Sequence, residues 1–444
     1  MVSRFDPRCG RGGVRKVIYR SALGATLCVL AACDVTNPGP LQDEFLDESE
    51  THAGLVKGAE RGLLIGAMRI FFAGATVSRE IFPGGDTNSH SPRLQAGALP
   101  SSEMDDYWNE TQQGRWVAED ALRRFDKPTV EASPRNRAQA SMVAGYASKL
   151  LGENFCQITI DGGPAEDPTV ALRRAEDHFT SAIEVAELTD QRIAAFAGRA
   201  QTRIELGDWS GAISDAGNVP TDFVFELETD PAFVETRNFI AFANLNENYR
   251  QFSYHFTFAF DDLGNGFGTD YYSETGDPRV RWTTDPAFPV ANASLPGFGN
   301  VPWSFRPGFL QDSPVTMASG TEMRLYEAEH ILLTQPGSFQ QAVELINEVR
   351  GSFVSDHDEQ PLAPVTASSA EEAGTLLKRE RLIDTHLEGR RFLDLRRWSG
   401  RDATPGEAYW PDWGQLTPIF DDEPTATCFP IPDSEREINP NLPL

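Results

Sequence analysis

Apolar side chains recur at helical spacing over His52–Ala73, Tyr107–Phe125 and Arg135–Gly152, which predicts three helices packed in pairs. The string Ala144-Gly145-Tyr146-Ala147, leading to Leu151-Gly152-Glu153, returns 53 residues later as Ala197-Gly198-Arg199-Ala200, leading to Leu206-Gly207-Asp208. The chain therefore carries divergent internal repeats. Between about Pro220 and Ser319 the helical period disappears, and Gly, Pro, Asn, Asp and aromatic residues take over. Tyr249–Phe260 alternates as a strand does, and Phe223–Leu227 is a second candidate. Helical spacing resumes with a predicted hairpin of Glu322–Thr334 and Phe339–Arg350. Ser369-Ala370-Glu371-Glu372 then reads as a capping box that opens a helical run to about Trp398, interrupted by Gly389.

Gly207-Asp208-Trp209-Ser210-Gly211-Ala212 and Gly337-Ser338-Phe339-Gln340-Gln341-Ala342 share a Gly-x-aromatic-x-x-Ala pattern. Such strings join the two helices of tetratricopeptide hairpins, where Gly closes the turn, the aromatic ring packs on the first helix and Ala admits the second. The spacing departs from a regular 34-residue period, so the array is degenerate, with long loops. The predicted fold class is mainly α: tetratricopeptide-like helical hairpins forming a superhelical scaffold, with a loop-rich insert containing short strands.

The first 20 residues hold six basic side chains against Asp6, and an apolar run from Ala22 to Ala32 follows. This order is that of a secretory signal, and the run is about half the ~20 residues a membrane-spanning helix needs. Leu30-Ala31-Ala32-Cys33 looks like a lipobox, which predicts cleavage before Cys33 and acylation of its thiol. Asp34–Leu46, with its Asn-Pro-Gly-Pro, reads as an extended leash. The expected layout is a signal peptide over 1–32, a lipidated Cys and leash over 33–50, and a single domain over 51–444. That domain divides into helical repeats (51–219), a ligand-binding insert (220–319) and a helical C-terminal region (320–444). A formal net charge of -27 argues against nucleic acid, which needs Lys and Arg to displace phosphate counterions. Cys156 and Cys428 remain after the signal and anchor cysteines. They form a disulfide outside the cytoplasm or stay as buried thiols, and their spacing does not choose between the two.

Glu380-Arg381-Leu382-Ile383-Asp384-Thr385-His386-Leu387-Glu388-Gly389-Arg390-Arg391-Phe392-Leu393-Asp394-Leu395-Arg396-Arg397-Trp398 resembles the C-terminal hallmark of the SusD/RagB family. Arg324–Leu333, Ala342–Arg350 and the closing Phe429-Pro430-Ile431-Pro432 resemble the same family in the same order. The resemblance implies a lipoprotein on the outer face of the outer membrane. It would cap a SusC-type TonB-dependent transporter and deliver oligosaccharides or peptides to it. A tetratricopeptide scaffold for protein partners is the alternative, followed by a secreted glycoside hydrolase. The hallmark charges are read as ions that hold the fold rather than as catalysts.

No metalloprotease, nucleophile-elbow, Walker or zinc-finger pattern occurs, so no catalytic residue, metal ligand or cofactor is assigned. Asp261, Asp262, Asn265 and Asp270 lack EF-hand spacing. A sugar binder needs flat rings for stacking beside amides, carboxylates or guanidinium groups for the hydroxyls. The insert supplies Phe267, Tyr271, Tyr272, Trp282 and Trp303, with Arg281 among the polar groups, and Trp303 and Tyr271 lead the candidates. The loop at Pro83–His90 adds Asp86 and Asn88. Trp108, Trp116 and Trp209 are expected in the core.

Overall fold

A methyl group placed on Gly62 would lie 2.8 Å from the Cα of Gly114, and one on Gly66 only 2.3 Å from the hydroxyl of Thr111. These small residues bring the first two long helices, α1 (Ser49–Val77) and α2 (Asp105–Phe125), into backbone contact. The structure, a computed structural model, describes residues 43–84, 92–95, 97–244, 250–255, 257, 270–295, 299–408, 411 and 426–442. The expected signal peptide, Cys33, Asp86, Asn88 and Phe267 lie outside the described residues.

The repeat strings have a common packing role. Gly145 sits on α3 (Pro134–Asn154) and Gly198 on α5 (Thr189–Leu206), and both press on the ring of Phe179 from α4 (Thr169–Val185). A Cβ on Gly145 would come within 2.8 Å of that ring and one on Gly198 within 2.5 Å. Tyr146 meets Phe179 edge-on, 4.9 Å between centroids, and donates its hydroxyl to Ala194 O across 2.9 Å. Gly207 ends α5 in the left-handed region at φ 79°, which glycine adopts without the Cβ clash that other residues meet. Asp208 then caps α6 (Trp209–Ala216) by accepting from the Gly211 amide.

Helices α1 with α2, α3 with α4, and α5 with α6 form successive hairpins. The fourth pairs α7 (Gly320–Thr334) with α8 (Phe339–Gly351), and α9 (Ala370–Asp384) packs on both. The chain is mainly α, as the periodicity predicts. The cap forms: Ser369 Oγ accepts from the Glu372 amide at 3.2 Å, and the Glu372 carboxylate accepts from the amide of Ser368, one residue before the N-cap amide that a strict capping box uses. The helical run to Trp398 is two helices, because α9 stops at Asp384 and α10 spans Arg391–Ser399. Leu387 (φ 68°) and Gly389 (φ 72°) turn the chain between them, and Gly389 lies so close to Phe71 of α1 that a Cβ would overlap its ring.

Three two-stranded antiparallel ladders occur among the described residues, and the insert supplies five of their six strands. β1 (Phe82–Pro83) pairs with β3 (Phe252–Ser253), β2 (Val224–Leu227) with β6 (Val315–Ser319), and β4 (Val290–Leu295) with β5 (Gly299–Pro302). Of the expected strand over Tyr249–Phe260, β3 lies within the described residues, while Tyr249, Phe256 and residues 258–260 lie outside them. After Ser253, side chains take over the backbone groups: Tyr254 N donates to Ser304 Oγ at 2.9 Å, and Thr257 Oγ1 donates to Tyr254 O at 2.6 Å.

Cys156 and Cys428 form a disulfide with a Cα separation of 5.1 Å, which resolves the alternative their spacing left open. Cys156 N donates to Phe429 O and Phe429 N to Asn154 O, both at 2.8 Å. The C-terminal segment is thus held against the end of α3 by both covalent and backbone bonds. Trp116 departs from expectation. Trp108, Thr111, Gly114 and Ala118 face inward along α2, and Trp116 falls on the opposite side of that 3.6-residue period, 48% exposed as a residue.

Candidate functional site

The hallmark charges are core. Arg279 donates to Asp277, Glu380 and Asp384 within 3.1 Å, and Arg350 joins Glu380 at 3.0 Å. Arg381 grips Asp394, while Arg397 binds Glu329, Asp394 and Asp402. Trp398 Nε1 and Thr404 Oγ1 both donate to Glu329 Oε1 at 2.6 Å. These groups are buried and pair with one another, so they orient α7, α9 and α10 and have no access to a ligand.

Around this network a cleft of about 330 Å³ opens. Its walls are Pro278, Arg281 and Arg306–Phe309 from the insert, Ser313–Thr316 leading into β6, and the hallmark turn His386–Glu388. Left-handed Leu387 and Gly389 give that turn its shape. The Arg306 guanidinium lies 5.5 Å from the centroid of Phe309 and makes no hydrogen bond or ion pair to any other described residue. Burial lowers its pKa, with the Arg281 charge acting in the same direction. Arg281 is held at the lip by Asp356, Nε to Oδ2 at 2.6 Å, and Tyr272 Oη donates to the same carboxylate at 3.0 Å.

Burial, with the charges of Asp384 and Glu322 nearby, holds the Glu388 carboxyl well above the usual carboxylate range. Burial also pushes His386 down to about 3, so its imidazole is neutral at physiological pH. Glu226, on another wall, is raised by burial and by Glu228. Guanidinium donors, carboxyl groups able to donate or accept, and an aromatic ring therefore share one cavity. That set suits a polar ligand with many hydroxyls. Among the described residues no group of His, Cys, Asp and Glu is arranged to hold a metal ion.

The candidates read from sequence scatter. Trp303 is 4% exposed: its Nε1 donates to Asn244 Oδ1 at 2.8 Å and its ring stacks on Phe305 at 5.0 Å. Tyr271 is fully buried, its hydroxyl bonded to Asp277 and Arg350. Neither ring presents a face to solvent, so both leading candidates are corrected to core. Trp282 is half-buried against the core, with Nε1 on Asp270 at 3.2 Å. Tyr272 and Arg281 meet at Asp356, and among the described candidates Arg281 alone lines the cleft. Phe309, His386, Glu388 and Glu226 were not singled out; the dense run of hallmark charges hid the two residues that face the cavity.

Residues 322–443 match the model of the SusD family. The fold over most of the chain is that of SusD-type proteins. A SusD superfamily protein from Bacteroides vulgatus is similar with a TM-score of 0.63 at 13% identity, covering 90% of this chain and 99% of that one. Surface glycan-binding protein A from Bacteroides uniformis gives 0.60 at 15% identity, covering 89% and 99%. A SusD-like carbohydrate-binding protein from Bacteroides fragilis gives 0.58 at 13%, covering 90% and 100%. No curated protein matches the chain. Residues 322–443 carry the pattern of the SusD family, and the helical architecture is the fold that SusD-type proteins share.

Proposed function

We propose that the protein binds nutrient oligomers, oligosaccharides foremost, in the cleft between the insert and the hallmark turn, with no covalent step. It would sit lipid-anchored through Cys33 on the outer membrane, facing outward, and pass its ligand to a SusC-type TonB-dependent transporter. The observation that carries the reading is Arg306: a guanidinium over an aromatic ring, facing a cavity, without a carboxylate partner among the described residues. Leaving such a cation half-buried is costly unless a ligand or water completes its bonds. The descriptions of similar folds as carbohydrate-binding and surface glycan-binding proteins favour a sugar as that ligand.

Calorimetric titration of the mature protein with a panel of oligosaccharides tests the reading. Arg306→Ala should weaken whichever oligosaccharide binds by at least about tenfold, the loss of one charge-assisted contact. Unchanged affinity would remove the cleft from the account. The transporter role is tested separately, by tagging the lipoprotein in its host and identifying what co-purifies stoichiometrically. A large TonB-dependent barrel is expected, and recovery of the lipoprotein alone counts against delivery.

A further inference from the structure

A second groove, of about 280 Å³, lies on the helical-repeat face, between α2 and the turn at Thr159–Gly162. Among the described tryptophans, Trp116 alone is exposed, and its indole forms one wall of this groove. Asn109 and Gln113 are four residues apart on α2 and Trp116 follows three later, which puts two exposed amides and the indole in one stripe along the helix. Neither amide side chain, nor the indole Nε1, bonds to another described residue.

The opposite wall is held firmly. Arg115, itself buried, donates to Asp161 at 2.7 Å and to Gln112 at 2.9 Å, and Gln112 donates to Thr159 O at 2.9 Å. Asn441 donates to Gly162 O at 2.8 Å, so the chain's C-terminal segment braces the same turn. Asp161 sits at φ 51°, in the left-handed region that non-glycine residues rarely occupy. Its half-exposed carboxylate is thereby fixed at the edge of the groove. Backbone strain held in place by several side-chain bonds is a feature of ligand clamps.

We propose that this groove is a second carbohydrate-binding site, in which a neutral sugar ring stacks on Trp116 while Asn109, Gln113 and Asp161 bond its hydroxyls. The chemistry favours a sugar over a protein partner. The exposed apolar surface here is one indole, with the Arg123 guanidinium 5.9 Å from its centroid, the amides of Asn109 and Gln113 along the same stripe and the Asp161 and Glu435 carboxylates in the lining, whereas a protein interface needs a wider apolar centre. Two separated sites on one chain suit a polymer, because each bound segment raises the effective concentration of the next. The inference leans on the proposed carbohydrate reading for the class of ligand and is independent of the first cleft.

The test is native gel electrophoresis of the lipid-free mature protein through amylopectin, laminarin, xylan and levan. Wild type, Trp116→Ala, Trp116→Phe and Arg306→Ala are compared, and thermal melts confirm that each variant is folded. At least one polymer should retard the wild type. Trp116→Ala should weaken that polymer's binding by at least about tenfold, Trp116→Phe should retain most of it, and short oligosaccharides should bind both Trp116 variants as they bind wild type. The proposal is overturned if Trp116→Ala is retarded like wild type, or if no polymer retards the wild type. It is overturned too if Trp116→Ala alters only the proteins that co-purify from membranes, which would make this face a protein interface. If oligosaccharide binding depends on Arg306 while Trp116→Ala is silent, this inference alone falls and the first cleft stands.

Discussion

The backbone amide of Leu387 donates to the Glu80 carboxylate at 2.9 Å, joining the hallmark turn to the end of α1 across 307 residues of chain. Leu387 is held there in a left-handed conformation, and Ser78 adds a second bond to the same carboxyl group. The cleft depends on this tie, since Leu387 and its neighbours His386 and Glu388 form one of its walls.

Burial pushes the Glu80 carboxyl up to about 7, against the Leu387 bond and the nearby Arg391 charge that favour ionisation. A carboxyl raised in the folded state keeps its proton where the unfolded chain has lost it. Its stabilising contribution is complete below the unfolded value of 4.5 and declines as pH rises through about 7. Glu80→Gln, which cannot ionise, should gain stability relative to wild type between pH 5 and pH 8. Urea unfolding at the two pH values measures this, and an equal difference at both would show that Glu80 does not titrate in that window.

Glu380 accepts from Arg279 at 2.6 Å and from Arg350 at 3.0 Å, with all three side chains nearly inaccessible. Glu380→Ala would leave two buried guanidinium groups short of a partner and should cost about 3–5 kcal/mol. The exposed Lys57–Glu60 pair is the control: Lys57→Ala should change stability by less than about 1 kcal/mol. Denaturant midpoints for the two variants decide between a structural network and incidental pairing.

Gly198→Ala should destabilise by about 1–3 kcal/mol, because the new methyl group overlaps Phe179 where two successive hairpins pack closely. Phe179→Leu removes the obstructing ring edge, so the double variant should lose less than the sum of the singles. Strict additivity in unfolding free energy would show that the two residues do not meet.

The Cys156–Cys428 disulfide closes a long loop, and replacing both residues by Ser should cost about 2–4 kcal/mol. Adding a reductant to wild type should lower its unfolding midpoint by a similar amount, with no effect on the double Ser variant. A reductant-insensitive wild type would mean that the thiols are not joined.

The helices were legible because each has one buried face and conventional ends: Ser369 before Glu372, and Gly207 after Leu206. The echo of Ala-Gly-x-Ala was visible as a repeat, but Phe179, the ring both glycines clasp, lies between the copies and belongs to neither. Arg381, Asp394 and Arg397 are structural ions, as the sequence reading has them, whereas Glu388 of the same run lines the cleft. The site was harder to find. Aromatic content in the insert pointed to Trp303 and Tyr271, yet a ring in an irregular segment also builds a local core, and Asn244 and Arg350 satisfy their polar ends inside it. Glu388 looked like its neighbours because only the backbone reversal at Leu387 and Gly389 turns it toward the cleft. Trp116 was assigned to the core because helical tryptophans usually face inward, although its position two residues after the inward-facing Gly114 already placed it on the outer side.

The most direct test is a crystal structure of the mature protein soaked with the oligosaccharide that binds most tightly in the calorimetric panel. The account predicts sugar density in the cleft, with Arg306 and Glu388 bonded to hydroxyls and one sugar ring against Phe309. A ligand bound elsewhere in the insert, with the cleft filled only by water, would contradict it.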